Sequence, residues 1–335
     1  AGERSMKIKE CELHNGQVRL SLISFGASIR SFETPDKEGV FGPVHLSLDS
    51  VEQYQDAALN PYLGASVGRY ANRIAGARFP LDGTVVELTP NEGDNQLHGG
   101  PAGFGRRNWE LLSKEHTPAG GSVTFGLESQ DGDQGFPGNL RGRVTYELAG
   151  DTLRITYFAA TDAATVVNLT NHGYWNLDGD STIFGHRLRI DADQVLPVDE
   201  AGIPAGTLQE VQNTVFDFRE RTTLGDAFKS RPSGFDHCFK LNGVSGKLRF
   251  AAQVDSPSSG RWMRIRTDQP AVQLYSGNGL GAPFTQHGAL CLETQMFPDT
   301  PNHPELGSAV LRPGQEYRSV TELQFGVSEY ESASS

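Results

Sequence analysis

Four stretches of this chain set polar, proton-carrying side chains among apolar residues and glycines, where a strand protein would aim them into a cleft. In Gly68-Arg69-Tyr70-Ala71-Asn72-Arg73-Ile74-Ala75-Gly76, Arg73 offers a planar fork of donors for adjacent hydroxyls or a carboxylate. An ion pair with an acidic neighbour, serving structure alone, fits the same residue equally well. In Asn95-Gln96-Leu97-His98-Gly99-Gly100, paired glycines let the backbone turn sharply and leave the imidazole accessible. In Val166-Val167-Asn168-Leu169-Thr170-Asn171-His172-Gly173-Tyr174-Trp175-Asn176, amides, a hydroxyl, a histidine and two aromatics follow an apolar start. Aromatic faces beside hydrogen-bonding groups suit sugar rings, although Tyr174 and Trp175 read more readily as core residues with satisfied polar handles. In Ala289-Leu290-Cys291-Leu292-Glu293-Thr294-Gln295-Met296-Phe297-Pro298-Asp299, a carboxylate sits inside an apolar strand, which costs energy unless it is paired or functional. Glu293 alternates with Cys291 and Gln295, so periodicity alone gives solvent exposure the same standing as catalysis.

Histidines, a glutamate, an arginine and an aspartate are equipped for proton transfer on a small polar substrate. Rival chemistries lack their parts. No Gly-x-Ser-x-Gly elbow is present for acyl transfer. Gly277-Asn278-Gly279-Leu280-Gly281-Ala282 has the letters of a dinucleotide fingerprint, but Pro283 and a polar stretch follow where a helix is required, so it reads as a tight turn. Asp131-Gly132-Asp133-Gln134-Gly135 lacks the Gly and Glu that a calcium loop needs at its sixth and twelfth positions. His303-Pro304-Glu305 resembles half of a zinc-deaminase signature without its cysteine pair. The expectation is therefore no metal and no cofactor.

Composition narrows the partners. The 335 residues carry 29 Lys+Arg against 41 Asp+Glu, a formal charge of −12, which repels phosphate backbones and anionic membranes and argues against nucleic acid. No apolar run approaches the roughly 18 residues of a membrane span. Cys11, Cys238 and Cys291 are widely spaced with no paired motif, so neither a disulfide framework nor a cysteine zinc site is indicated, and reduced thiols in the cytoplasm are expected. Residues 1–5, before Met6, read as a tag remnant or processed tail, and a cleaved periplasmic signal is the alternative.

The elements that must position these residues are strands. Val123, Phe125 and Leu127 alternate with small or polar neighbours, as do Val144, Tyr146 and Leu148, then Leu153, Ile155 and Tyr157. The pattern returns at Leu188, Ile190 and Ala192, at Leu248, Phe250, Ala252 and Val254, and at Tyr317, Ser319, Thr321, Leu323 and Phe325. Helical spacing is confined to a turn or two at 51–56 and 222–228. With 39 Gly and 18 Pro, no βαβ alternation, no composition shift and no fixed repeat, the chain reads as one all-β, antiparallel domain over 1–335.

Ordered motifs then resemble the aldose 1-epimerases, the galactose mutarotases. They are Asn72-Arg73-Ile74-Ala75, Leu97-His98-Gly99-Gly100, Asn168-Leu169-Thr170-Asn171-His172, Gly234-Phe235-Asp236-His237, Gln273-Leu274-Tyr275-Ser276-Gly277-Asn278 and Leu292-Glu293-Thr294-Gln295. Leu196-Pro197-Val198-Asp199 and Phe216-Asp217-Phe218-Arg219 fit as well, so the resemblance spans roughly 13–327. It implies a large antiparallel β-supersandwich whose open cleft holds a free aldohexose and needs no cofactor. It further implies His172 as the acid at the ring oxygen, Glu293 as the base at the anomeric hydroxyl, and His98 as an assistant at the ring oxygen. Asn72, Arg73, Asp236 and Gln273 would hold the remaining hydroxyls. Gly103-Phe104-Gly105 and Gly173 depart from residues frequent in the family and bear on sugar preference. Two alternatives are a relative acting on another aldose or a sugar phosphate, for which Arg106-Arg107 is the one basic pair near His98, and a non-catalytic sugar-binding protein.

Overall fold

The alternation expected from the sequence is realised as strands throughout the computed structural model, which describes residues 7–179 and 181–328; the tail 1–5 lies outside the described residues. A nine-stranded sheet runs, in spatial order, through Glu110–Thr117, Gly120–Ser129, Leu140–Ala149, Thr152–Thr161, Tyr317–Val327, Arg261–Thr267, Arg249–Asp255, Arg187–Ile190 and Thr222–Thr223. A five-stranded sheet runs through Gln209–Glu210, Gln194–Leu196, Asp236–Lys240, Ala271–Tyr275 and Cys291–Gln295, and a four-stranded sheet through Glu10–His14, Arg19–Ile23, Ser28–Pro35 and Phe41–Pro43. Every ladder in these sheets is antiparallel. One apolar cluster joins all three: Leu22 and Phe32 from the smallest, Phe125, Ile155 and Phe325 from the largest, and Phe239, Leu274 and Leu292 from the five-stranded sheet.

Helix is scarce for the reason that the sequence suggests. The 222–228 stretch forms the helix Leu224–Ser230, and 51–56 forms a single tight turn, Glu52–Gln55. Among the described residues, no helix is long and apolar enough to cross a membrane. One alternation fails. Between Phe250 and Ala252 the register with Arg261–Thr267 shifts, so Ala251 and Ala252 are both buried while Leu248 lies exposed before the strand begins. A bulge inserts a residue and resets the period of two.

The five-stranded sheet matters most for the site. Its strands alternate between the core and the opposite face: Phe239, Leu274 and Leu292 point into the common core, whereas Asp236, Gln273 and Glu293 point the other way. All five residues of Cys291–Gln295 are buried. Solvent exposure of Glu293, which periodicity allowed, is therefore overturned, because this strand is covered on both sides.

Candidate active site

Two tight turns bring the first histidine into place. Gly99 has φ +81, and a Cβ there would stand 1.9 Å from the Gly68 carbonyl oxygen, so only glycine lets the 98–100 turn lie against the 68–73 segment. Asn72 and His98 then bond twice: the His98 N–H donates to the Asn72 carbonyl at 3.0 Å, and the Asn72 N–H donates to His98 Nδ1 at 3.1 Å. His172 ends the short strand Thr170–His172, which pairs with Ala65–Val67. The Thr170 hydroxyl donates to the Thr294 carbonyl at 2.8 Å and ties that strand to the one carrying Glu293. Asn168 accepts from the Met296 N–H at 3.0 Å and donates to the Ala71 carbonyl at 3.3 Å, stapling three motif segments together.

These segments surround a cleft of about 280 Å³ lined by Pro61, Tyr62, Asn72, Arg73, Glu92, Leu97, His98, His172, Tyr174, Asp236, Tyr275 and Glu293. Nε2 of His172 stands 3.4 Å from Oε1 of Glu293, and the His98 ring meets the His172 ring edge to face at 5.2 Å. All three side chains are buried. Tyr174 stacks on His172 at 4.9 Å with 17° between the rings, and Tyr62 covers the imidazole from 6.1 Å. A wider hollow, about 540 Å³, lies on the outer face of the nine-stranded sheet, but its charged lining is a ladder of Glu147, Arg154, Arg264, Arg266 and Glu322 without a convergent acid and base.

Burial sets the electrostatics. It raises the Glu293 carboxyl well above the usual range, with Asp236 adding to the effect and Arg73 opposing it. Burial lowers His172 to about 3 and takes His98 well below its ordinary value, with the neighbouring His172 contributing to the latter. Desolvation also raises Asp236, against the pull of Arg73. In His98, Nδ1 already accepts the Asn72 N–H, so the neutral ring carries its proton on Nε2. The ligating atoms of His98, His172 and Glu293 lie within 4.8 Å of one another, so they are also the described residues that could gather around a metal ion.

The cleft contains six of the seven residues singled out in the sequence. Gln273, the seventh, sits directly opposite Glu293 across the strand pair, is buried behind the wall, and donates from Nε2 to Asp236 Oδ1 at 2.7 Å. Arg73 is held by a protein carboxylate: its Nε and Nη2 donate to Glu92 at 2.5 and 3.2 Å, while Nη1 stands 4.0 Å from Asp236. Sequence reasoning missed Glu92, Tyr62 and Tyr275. Glu92 sits in the turn Asn91-Glu92-Gly93-Asp94-Asn95, whose composition signals a turn and nothing more. Tyr174 is buried as expected of a core residue, with its hydroxyl donating to the Pro61 carbonyl at 2.7 Å, yet its ring also forms part of the cleft wall.

The aldose 1-epimerase family profile matches residues 9–324. The chain is 43% identical over 328 residues to the aldose 1-epimerase of Escherichia coli K12, covering 93% of each sequence. It is 41% identical over 333 residues to the galactose mutarotase of Bos taurus, covering 96% of this chain and 94% of the relative. The crystal structure of a GalM/aldose epimerase homologue from C. elegans superimposes with a TM-score of 0.89 at 31% identity, over 96% of this chain and 99% of that one. The galactose 1-epimerase from Lactobacillus acidophilus NCFM gives 0.84 at 29% identity, over 96% and 99%. With the profile and these relatives matching nearly end to end, the chain belongs to the aldose 1-epimerase family.

Proposed function

We propose that this protein is an aldose 1-epimerase that interconverts the α and β anomers of free aldohexoses such as D-galactose and D-glucose. The observation that carries the reading is the buried pair of His172 and Glu293, 3.4 Å apart, with His98 facing them across a cleft of about 280 Å³. Glu293 takes the proton from the anomeric hydroxyl as the C1–O5 bond breaks, and His172 delivers a proton to O5. The products of that step are the open-chain aldehyde and its C5 hydroxyl. Rotation about C1–C2 presents the other face of the aldehyde, and the same transfers in reverse close the ring as the other anomer. Protons balance because each group regains on closure what it exchanged on opening.

Burial favours a protonated Glu293 and a neutral His172, the reverse of the starting state that this step needs. The pair holds one exchangeable proton in either arrangement. Shifting it from Glu293 to His172 creates adjacent opposite charges, and the hydroxyls of a bound sugar supply the hydrogen bonds that the Oε1 oxygen lacks within the protein. His98, with its proton on Nε2, donates to the ring oxygen alongside His172. Asn72, Arg73, Asp236 and Gln273 hold the other hydroxyls, Gln273 also bonding to Asp236. Each proton-transfer group supplies on the order of 10²–10⁴-fold, and orientation adds to it. Cys11, Cys238 and Cys291 are free and buried, which supports a reducing, cytoplasmic setting.

Polarimetry on freshly dissolved α-D-galactose and α-D-glucose tests the reading. Decay of rotation faster than the spontaneous rate, proportional to protein, is expected. A protein that binds galactose without changing that rate would be a binding protein on the same fold.

A further inference from the structure

Besides the imidazoles of His98 and His172, the cleft wall carries three acids, Glu92, Asp236 and Glu293, against one guanidinium, Arg73, and the His172–Glu293 pair with its shared proton adds no net charge. The single cation is already answered from within the protein. Glu92 takes two of its nitrogens, and the third faces Asp236. The backbone at Gly202 presses against the same guanidinium, since a Cβ there would come within 2.3 Å of Nη1. Glu92 and Asp236, by contrast, remain 37% and 38% exposed. Among the described residues no second Lys or Arg lines the cleft, although the Arg106 charge is felt by His98 and His172. Arg106 lies over the Tyr62 ring at 3.8 Å and donates to the Asn60 carbonyl at 2.5 Å, and Arg107 pairs with Asp133 at 2.6 Å. Arg107 is thus paired outside the cleft, and Arg106 sits behind the Tyr62 ring with its Nη1 bonded to backbone. Even with Glu293 carrying its proton, two carboxylates oppose one guanidinium in a chain of net charge −12.

We propose that the cleft sorts aldoses by charge, accepting protonated amino sugars alongside neutral aldoses and turning away aldose phosphates and uronates. An ammonium group entering beside Asp236 or Glu92 exchanges water for a carboxylate partner. An entering phosphate or carboxylate must break the Arg73–Glu92 pair to find a cation, leaving Glu92 uncompensated in a partly desolvated wall. The inference rests on the anomer-interconverting reading for its turnover assay, though not for its binding assay.

A series varied only at C6 isolates charge: D-galactose, 6-amino-6-deoxy-D-galactose, D-galacturonate and D-galactose 6-phosphate, at pH 6.5 and low ionic strength. Mutarotation is followed by NMR and corrected for the spontaneous rate, and affinities are measured in parallel by calorimetry. The expected kcat/KM for the amino sugar matches or exceeds that of galactose and falls with added salt. Values for the two anions lie at least about tenfold lower and rise with salt, as screening of opposite-signed interactions requires. Glu92→Gln, which frees the Arg73 fork, narrows the gap for galacturonate. Galacturonate or the phosphate being handled as well as galactose, or the amino sugar being the one rejected, would overturn the proposal. If no sugar is turned over, the proposed reaction fails while the calorimetric ranking still decides the charge preference.

Discussion

The Asn72 N–H donates to Nδ1 of His98 at 3.1 Å, while the His98 N–H returns a bond to the Asn72 carbonyl at 3.0 Å. A side chain is thereby oriented by the backbone of another motif. The bond also decides which nitrogen carries the proton. ¹⁵N NMR of imidazole-labelled protein should show His98 as the Nε2–H tautomer, uncharged at pH 6.5 because burial holds its titration well below that value. A His98 signal with the proton on Nδ1 would remove the proposed donor to the ring oxygen.

Glu293→Gln keeps the shape of the side chain but cannot accept the proton, so kcat should fall by roughly 10²–10⁴-fold with galactose affinity changed far less. Stability moves the other way. Burial raises the Glu293 carboxyl, so its contribution is full below its ordinary value of 4.5 and is lost as pH rises through the raised one. The variant should therefore melt no lower than the parent, with an advantage that grows toward alkaline pH. A folded variant turning galactose over within a few-fold of the parent would move the base elsewhere, with His98 the next candidate.

Arg73→Lys should not behave as a conservative change. Glu92 holds two nitrogens of a planar fork, and an ammonium cannot reproduce that geometry while reaching toward Asp236. The expected outcome is a KM for galactose raised by about tenfold with a smaller effect on kcat, as loss of uniform binding predicts. Unchanged kinetics on every aldose tested would remove Arg73 from the site.

Acid should unfold the protein earlier than its carboxylates alone require. Burial lowers His45 and His237 to about 4 and His172 to about 3. The unfolded chain binds protons at their ordinary 6.5, so stability is complete above that pH and is lost as pH falls from 6.5 toward 4. Thermal melts should drop on the order of 5 °C or more between pH 7 and 5. A melting temperature flat across that window would contradict the buried, neutral state of these rings.

Dialysis against a strong chelator should leave the mutarotation rate in place, since the reaction is assigned to proton transfers by Glu293, His172 and His98. Loss of activity restored by zinc would instead recruit the same three side chains as ligands.

The strands were legible because period-two alternation is a local property, as at Val123, Phe125 and Leu127. Where the pattern misled, at Leu248 to Val254, a bulge had inserted one residue that no composition rule announces. Glu293 was ambiguous for a different reason. Alternation reports which side chains share a face, and both faces of Cys291–Gln295 are covered. Glu92 was invisible because its partner Arg73 comes from a separate strand, and an acid in a polar turn looks solvated until the fold brings a guanidinium to it. The Gln273–Asp236 bond was not legible either, because register sets Gln273 opposite Cys238 and Glu293 and only the side-chain paths bring it to Asp236.

The nine-stranded sheet has its last described strand at its middle. Tyr317–Val327 lies between Thr152–Thr161 on one side and Arg261–Thr267 on the other. A ribosome delivers the two halves of this sheet long before the piece that joins them, so each half waits with an unpaired edge while the rest of the chain is made. Vectorial synthesis cannot close the sandwich early. A nascent chain stalled before Tyr317 therefore presents two sticky borders to chaperones or to other chains, and a working enzyme emerges only after translation has passed Val327.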